Sequence, residues 1–184
     1  MSHRHILILL LLLQPITVAA GESEWILFLK NPTTDSYNPL IARIEKCKKE
    51  DCKCDVKPDS AAVIKLIELI KIQNAFAVDI AFSSLKILDG GDLEDVIRSL
   101  GLLTESSPKL LLDYSIKHNI PDYKLEDLLT MLPLETVDDN RAKIETVQKR
   151  IKSLSKVNSP PLVEIRGKAI IILGKYLDEL RTQP

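Results

Sequence analysis

Apolar residues recur along this chain at the three- and four-residue spacing of amphipathic helices, and strand-like alternation is almost absent. Proline, glycine and asparagine stand between the apolar blocks, where helices usually end. The pattern predicts a short apolar block at 25–29 and helices that begin at Asn38, at Asp59 or Ser60, near 75, at Asp92 and at Ser107, followed by helices over about 123–131, 136–157 and 161–181. The sequence therefore predicts an all-α fold.

The predicted helix that ends near Gln73 is apolar on nearly every face. Its polar positions form one narrow stripe, made of Lys65, Glu68 and Lys71. Because other helices typically enclose such a helix, we expect it in the core. The next predicted helix, over about 75–88, is equally apolar. We expect its solvent-exposed line to pass through Asp79, Ser83 and Lys86.

The last two predicted helices are longer and carry apolar seams with near-heptad spacing. The seams are Val137, Ile144, Val147, Ile151 and Leu154 in the first helix, and Leu162, Ile165, Ala169, Ile172 and Tyr176 in the second. They predict an antiparallel hairpin over 136–181, with Arg150 and the other charged residues of its outer faces in solvent. Pairing of this hairpin with a second copy would make a homodimer.

The two helix pairs between about 59 and 120 share an internal pattern. The apolar spacing of 63–70 matches that of 96–103, and the spacing of 76–79 matches that of 110–113. Stacked helix pairs can share a continuous core, as in an α-solenoid. The pattern is compatible both with such a solenoid and with a compact helical bundle.

An apolar residue followed by aspartate recurs in the second helix of each pair, at Val78-Asp79 and at Leu112-Asp113. In this respect the segment, about a third of the chain, resembles HEAT-like α-helical repeats. The resemblance implies a protein-binding scaffold and assigns no catalytic residue.

Residues 1–20 have the layout of a secretory signal peptide. Arg4 precedes an apolar run from Ile6 to Leu13, and the segment ends in the small residues Ala19 and Ala20. The apolar run is far shorter than the roughly 20 residues that a membrane-spanning helix needs. We therefore predict cleavage after Ala20, a periplasmic or secreted mature protein without a membrane span, and a single helical domain over 21–184.

The three cysteines form one local cluster, made of Cys47, Cys52 and Cys54. In an oxidising compartment two of them should form a disulfide. Because Cys52 and Cys54 would make a strained pair, Cys47 is the expected common member, bonded to either of the other two. The alternatives are a three-thiolate zinc site completed by Asp51, Asp55 or water, an intermolecular bridge and redox exchange.

Charge and motif content exclude several classes of function. Lys and Arg number 25 against 26 Asp and Glu, a balance that gives nucleic acid no general attraction. Beyond the predicted signal peptide the single histidine is His118, whose ring we expect to interact with the last carbonyls of a helix. No phosphate-binding glycine loop or dinucleotide fingerprint occurs. We therefore expect no catalytic, cofactor-binding or metal-binding residues and no enzyme activity.

The function that these observations favour is a non-enzymatic helical module that binds another protein through a concave or groove-like surface. The alternative is a carrier of a lipid or other apolar ligand, since helices that are apolar on every face can enclose a cavity.

Overall fold

The computed structural model describes residues 23–49 and 55–182, and these residues form helices and connecting turns without strands, which confirms the predicted fold class. The predicted signal peptide, Cys52 and Cys54 lie outside the described residues. The α-helices are α1 Glu24–Lys30, α2 Thr34–Lys49, α3 Ser60–Lys71, α4 Ala75–Ser84, α5 Gly90–Gly101, α6 Leu103–Ser106, α7 Pro108–Lys117, α8 Asp122–Thr130, α9 Asn140–Ser155 and α10 Val163–Thr182, with short 3₁₀ turns at Leu134–Thr136 and Pro160–Leu162.

The helices pack as successive pairs. Helix α1 packs on α2 and α3 packs on α4, while the short α6 contacts both α5 and α7. The first helices of the pairs lie side by side in the order α1, α3, α5, and α8 extends this row. The second helices form a parallel row in the order α2, α4, α7. Helices α9 and α10 form the predicted hairpin and close the end of the domain against α6 and α8.

Side-chain caps begin several of the helices, and residues with a positive φ end two of them. The side chains of Asp59, Asn74 and Asp139 each accept a hydrogen bond from a backbone N–H in the first turn of α3, α4 and α9, respectively. At the other end, α3 and α7 are followed by Gln73 and Asn119, whose φ angles are 60° and 46°. The N–H group after each of them returns to a carbonyl in the last turn, which closes the helix in a Schellman motif.

Two helices begin earlier than predicted. Helix α2 begins at Thr34 instead of Asn38, with Pro39 inside it, because the Thr33 N–H donates to Ser36 Oγ at 3.1 Å and completes a cap one turn upstream. Helix α5 begins at Gly90, which adopts a φ of 53° and starts a helix where the glycine pair was expected to end one. The added turn of α2 carries Tyr37, which lies in the candidate site.

The buried core lies between the two rows of helices. Helix α4 is the most enclosed of the described helices, since every residue from Ala77 to Ser84 is buried. The prediction that α3 lies in the core is confirmed for Val63, Leu66 and Ile70, but α3 is exposed beyond its predicted polar stripe. Its contacts with α1, α4 and α5 leave one face open, so that Ile64 and Ile72 are 59% and 73% exposed.

Arg150 on α9 is fully buried, which corrects the expectation of a solvated position. Its Nη1 donates to the carbonyls of Leu129 at 2.6 Å and Met131 at 3.2 Å, at the end of α8. Carbonyls at a helix end have no partner within the helix, so a buried end needs such a donor. Gly101 permits the close approach, since a Cβ there would lie 2.6 Å from the Leu128 carbonyl oxygen.

The hairpin packs through a seam that differs in part from the predicted one. The buried residues are Val147, Arg150 and Leu154 on α9, and Ala169, Leu173, Leu177 and Leu180 on α10. Val137 precedes α9 and is 44% exposed. The described helices include none that is both long and apolar enough to cross a membrane.

Candidate functional site

A groove of about 570 Å³ runs along α4, between α2 and α7. This volume lies within the range of about 300–1,000 Å³ that is typical of ligand sites. Its lining comes from all three helices: Tyr37, Ile41, Glu45 and Lys48 on α2, Asp79 and Ser83 on α4 with Lys86 just after it, and Lys117 on α7 followed by His118 and Asn119. Helix α4 therefore forms the floor, and its two neighbours form the walls.

Asp79 is the centre of this groove and is only 3% exposed. Its Oδ1 atom lies 2.6 Å from His118 Nε2, and its Oδ2 accepts a hydrogen bond from Lys117 Nζ at 2.6 Å. Tyr37 also donates its hydroxyl proton to Oδ2. One carboxylate thus connects three helices that are distant in the sequence.

The surroundings of Asp79 hold it in the ionised form. Burial by itself would raise the pKa of this carboxyl, but the hydrogen bonds from His118, Lys117 and Tyr37 outweigh burial and lower the pKa to about 2. The pKa of Tyr37 is raised, first by burial and then by its hydrogen bond to the Asp79 carboxylate. At neutral pH the pair therefore consists of a carboxylate and a neutral phenol.

Glu45 is the second carboxylate of the groove and is also partnered. Lys48 Nζ lies 2.6 Å from Glu45 Oε1, and Ser83 donates to the same oxygen at 3.2 Å. Burial opposes ionisation, yet the hydrogen bond and charge of Lys48, helped by Ser83, keep the pKa of Glu45 below its ordinary value. Both acidic groups of the groove are therefore ionised and already bonded.

The backbone of His118 ends α7, whereas its ring contacts Asp79 instead of the carbonyls of the helix. The backbone N–H of His118 donates to the Tyr114 carbonyl at 3.0 Å. The ring stacks on Phe82 with centroids 5.6 Å apart and points Nε2 at Asp79. The expectation that the imidazole serves the helix carbonyls is thus wrong, because a buried carboxylate from the neighbouring helix supplies a stronger acceptor.

The expected solvent line of α4 is wrong for two of its three residues. Asp79 and Ser83 are buried, and Lys86 alone of the three is exposed. Helices α2 and α7 cover this stripe and supply it with bonding partners. Tyr37, Glu45 and Lys117 were not predicted from the sequence as residues of the site. The signal present in the sequence was an acidic residue inside a helix that is otherwise apolar.

Positive side chains outnumber negative ones in the groove. Its cations are Lys48, Lys86 and Lys117, and its anions are Glu45 and Asp79. Within the part of the chain that the structure describes, no ion pair involves Lys86. The arrangement is suited to holding a negatively charged group. In residues 23–49 and 55–182 no group of three or more His, Cys, Asp or Glu side chains is placed to hold a metal ion.

Cys47 lies near the end of α2 and is partly buried against the core. Because Cys52 and Cys54 are outside the described residues, the pairing of the three cysteines stays a prediction.

Comparison with known proteins shows no significant similarity to this chain: no family model matches it, and no curated protein or solved structure matches it either.

Proposed function

We propose that this protein is a secreted or periplasmic helical module that binds another protein without catalysing a reaction, and that the groove along α4 is its binding surface. The observation that carries the proposal is the groove itself, which crosses three successive helices and presents charged side chains over a buried floor.

The hydrogen bonds beneath the groove make it a preorganised surface. Asp79 connects α4 to Tyr37 on α2 and to Lys117 and His118 on α7, while Ser83 connects α4 to Glu45 on α2. A surface whose supporting side chains are already ordered loses less conformational entropy when a partner binds. The hydrogen bonds beneath the groove therefore lower the entropic cost of binding a partner there.

The stacked helix pairs support the finer proposal of a HEAT-like repeat. Helices α3 and α5 lie side by side, as do α4 and α7, and these are the helices that carry the repeated sequence pattern. Stacking of equivalent helices produces extended surfaces on which proteins of this architecture bind partners. Secretion after cleavage at Ala20, and a disulfide from Cys47 to Cys52 or Cys54, belong to the same proposal and rest on the sequence.

The groove gives more support to this function than to an apolar-ligand carrier. Five pockets along the described residues each include charged side chains in their lining. An apolar ligand would have to desolvate those charges without replacing their interactions, which is unfavourable. A homodimer through the α9–α10 hairpin is a separate proposal, which sedimentation at several protein concentrations tests.

Site-specific photo-cross-linking tests the binding surface directly. A photoreactive amino acid replaces Lys86 at the groove in the chain 21–184, and the matched control carries it at Lys65, an exposed lysine on α3 outside the groove. Both proteins are exposed to extracellular and periplasmic proteins of the source, irradiated, and analysed by mass spectrometry. A separate intact-mass measurement, on native protein purified from its source, tests whether the chain begins at residue 21 and whether its mass is two hydrogens below that of the reduced chain.

We expect one defined protein to be cross-linked from position 86 and not from position 65. Addition of the unmodified chain should compete with this cross-link. Equal yields from the two positions, or no cross-linked protein from position 86, would contradict the proposed binding surface.

A further inference from the structure

The acidic groups of the groove are not available to a ligand. Asp79 accepts hydrogen bonds from three side chains, and Glu45 accepts from Lys48 and Ser83. A cationic ligand would have to displace these partners before it gained a contact of its own. The groove therefore disfavours a basic ligand, although it contains two carboxylates.

The basic groups are arranged differently. Lys117 is 54% exposed, so its ammonium group reaches solvent although it donates one bond to Asp79. The same Nζ lies 5.2 Å from the centre of the Tyr114 ring, which helps to hold it in place. Lys86 is exposed, and the described residues include no acidic partner for it. An ammonium group has three N–H donors, so both lysines retain donors for a ligand.

On the basis of the proposed protein-binding function, we infer that the groove receives an acidic peptide segment whose carboxylates lie against Lys86 and Lys117. Lys48, Lys86 and Lys117 exceed the two carboxylates by one positive charge, so an acidic segment complements the charge of the groove. The volume of about 570 Å³ is suitable for a few side chains of an extended peptide.

A peptide of defined charge provides the test. The probe is hexaglutamate with both termini blocked, and the comparison peptides are blocked hexaglutamine and hexalysine. Binding to the folded chain 21–184 is measured by titration with ¹⁵N–¹H NMR, which also locates the contact. The variants are Lys86→Gln and its control Lys65→Gln, both at exposed positions. Lys117→Gln is a second variant, whose fold is checked by circular dichroism.

Hexaglutamate should bind more tightly than the other two peptides, with the largest shifts near residues 45–48, 83–86 and 117–119. Lys86→Gln should lower the affinity for hexaglutamate by about two- to fivefold, which corresponds to the loss of one exposed charge contact. Lys65→Gln should bind like the unmodified chain. Added salt should weaken the complex, because dissolved ions screen the attraction between exposed charges. The screening length is about 10 Å at 0.1 M ionic strength and becomes shorter as salt is added.

The inference is overturned if hexaglutamine or hexalysine binds as tightly, if the shifts lie outside the groove, or if Lys86→Gln and Lys65→Gln behave alike. Saturation of the same residues by inorganic phosphate, with no effect of hexaglutamate, also overturns it. Cross-linking of a protein from position 86 without any preference for hexaglutamate would leave the proposed function intact and refute the acidic ligand. Absence of that cross-link would refute the proposed function itself.

Discussion

Replacement of Asp79 by asparagine should destabilise the protein far more than the sequence pattern suggests. That pattern places Asp79 on the solvent-exposed line of its helix, whereas the folded protein buries it. The substitution keeps the shape of the side chain and removes the charge that Tyr37, Lys117 and His118 all bind. It also places an amide that can donate protons beside groups that are themselves donors. The folded state should therefore lose most of the stabilisation that the ionised carboxylate provides.

The magnitude follows from the pKa of Asp79. The difference between the ordinary value of 3.8 and the value of about 2 in the folded protein corresponds, at about 1.4 kcal/mol per pH unit, to about 2 kcal/mol of stability. Because the pKa is lower in the folded state, this stabilisation is complete above pH 3.8 and is lost as the pH falls toward 2. The deficit of Asp79→Asn should thus be largest at neutral pH and about half as large near pH 3.

Urea unfolding of the chain 21–184 measures this deficit. Helical circular dichroism follows the overall unfolding, and the fluorescence of Trp25, which is buried and donates to the Val56 carbonyl at 2.7 Å, provides a second probe. Asp113→Asn is the matched control. Asp113 occupies the corresponding position of the repeat but forms an exposed pair with Lys109, so its loss should cost about 0.3–0.5 kcal/mol.

Two results would contradict the stabilising role of the Asp79 carboxylate. One is a deficit for Asp79→Asn that is no larger than that of Asp113→Asn at pH 7. The other is a deficit that stays constant between pH 7 and pH 3, since the lost interaction would then not depend on ionisation of this carboxylate.

Three further substitutions, each compared with a control variant, test the packing of the fold by the same unfolding measurement. Gly101→Ala should lower stability by about 1–3 kcal/mol, because its Cβ would lie 2.6 Å from a main-chain oxygen of α8. The control Gly167→Ala, whose new methyl group would have no atom within 4 Å apart from its own stretch of helix, should instead raise stability by about 0.5–1 kcal/mol. Arg150→Met removes the buried donor to two carbonyls and should cost about 1–3 kcal/mol, while Arg150→Lys, which retains a donor, should cost less; equal losses would contradict the role of the hydrogen bonds. Gln73→Gly relieves a φ of 60° but also removes the hydrogen bond that Ser107 Oγ donates to Gln73, so its control is Ser107→Ala, which removes that bond alone. Gln73→Gly should be more stable than Ser107→Ala by about 0.5–1 kcal/mol, and a lower stability would contradict the assignment of strain. Asn119→Gly should have a smaller effect, because asparagine tolerates this conformation.

Most helices could be predicted because their determinants are local. Asp59 caps α3, the Ser107-Pro108 pair begins α7, and the apolar spacing of 125–129 produces the buried face of α8. The errors at the starts of α2 and α5 also have local causes. Pro39 is tolerated inside α2, and a glycine with a positive φ begins α5, so residues that usually end a helix lie within or at the start of one.

The candidate site could not be predicted in the same way. Asp79 contacts Tyr37, Lys117 and His118, which are 42, 38 and 39 residues away in the sequence. A helical pattern shows that a stripe is polar, and it contains no information on whether water or another helix will satisfy the polar groups. Arg150 illustrates the same ambiguity, because its position in a charged stripe is compatible with solvent and with the buried end of α8.

The helical character of the chain and the places of most of its helices follow from local sequence features, since caps, breaks and apolar spacing act over a few residues. The side-by-side arrangement of α2, α4 and α7 follows only from packing between distant segments. That arrangement converts separate charged residues into one bonded network beneath a groove, because a buried charge is stable only where packing brings it partners from other helices.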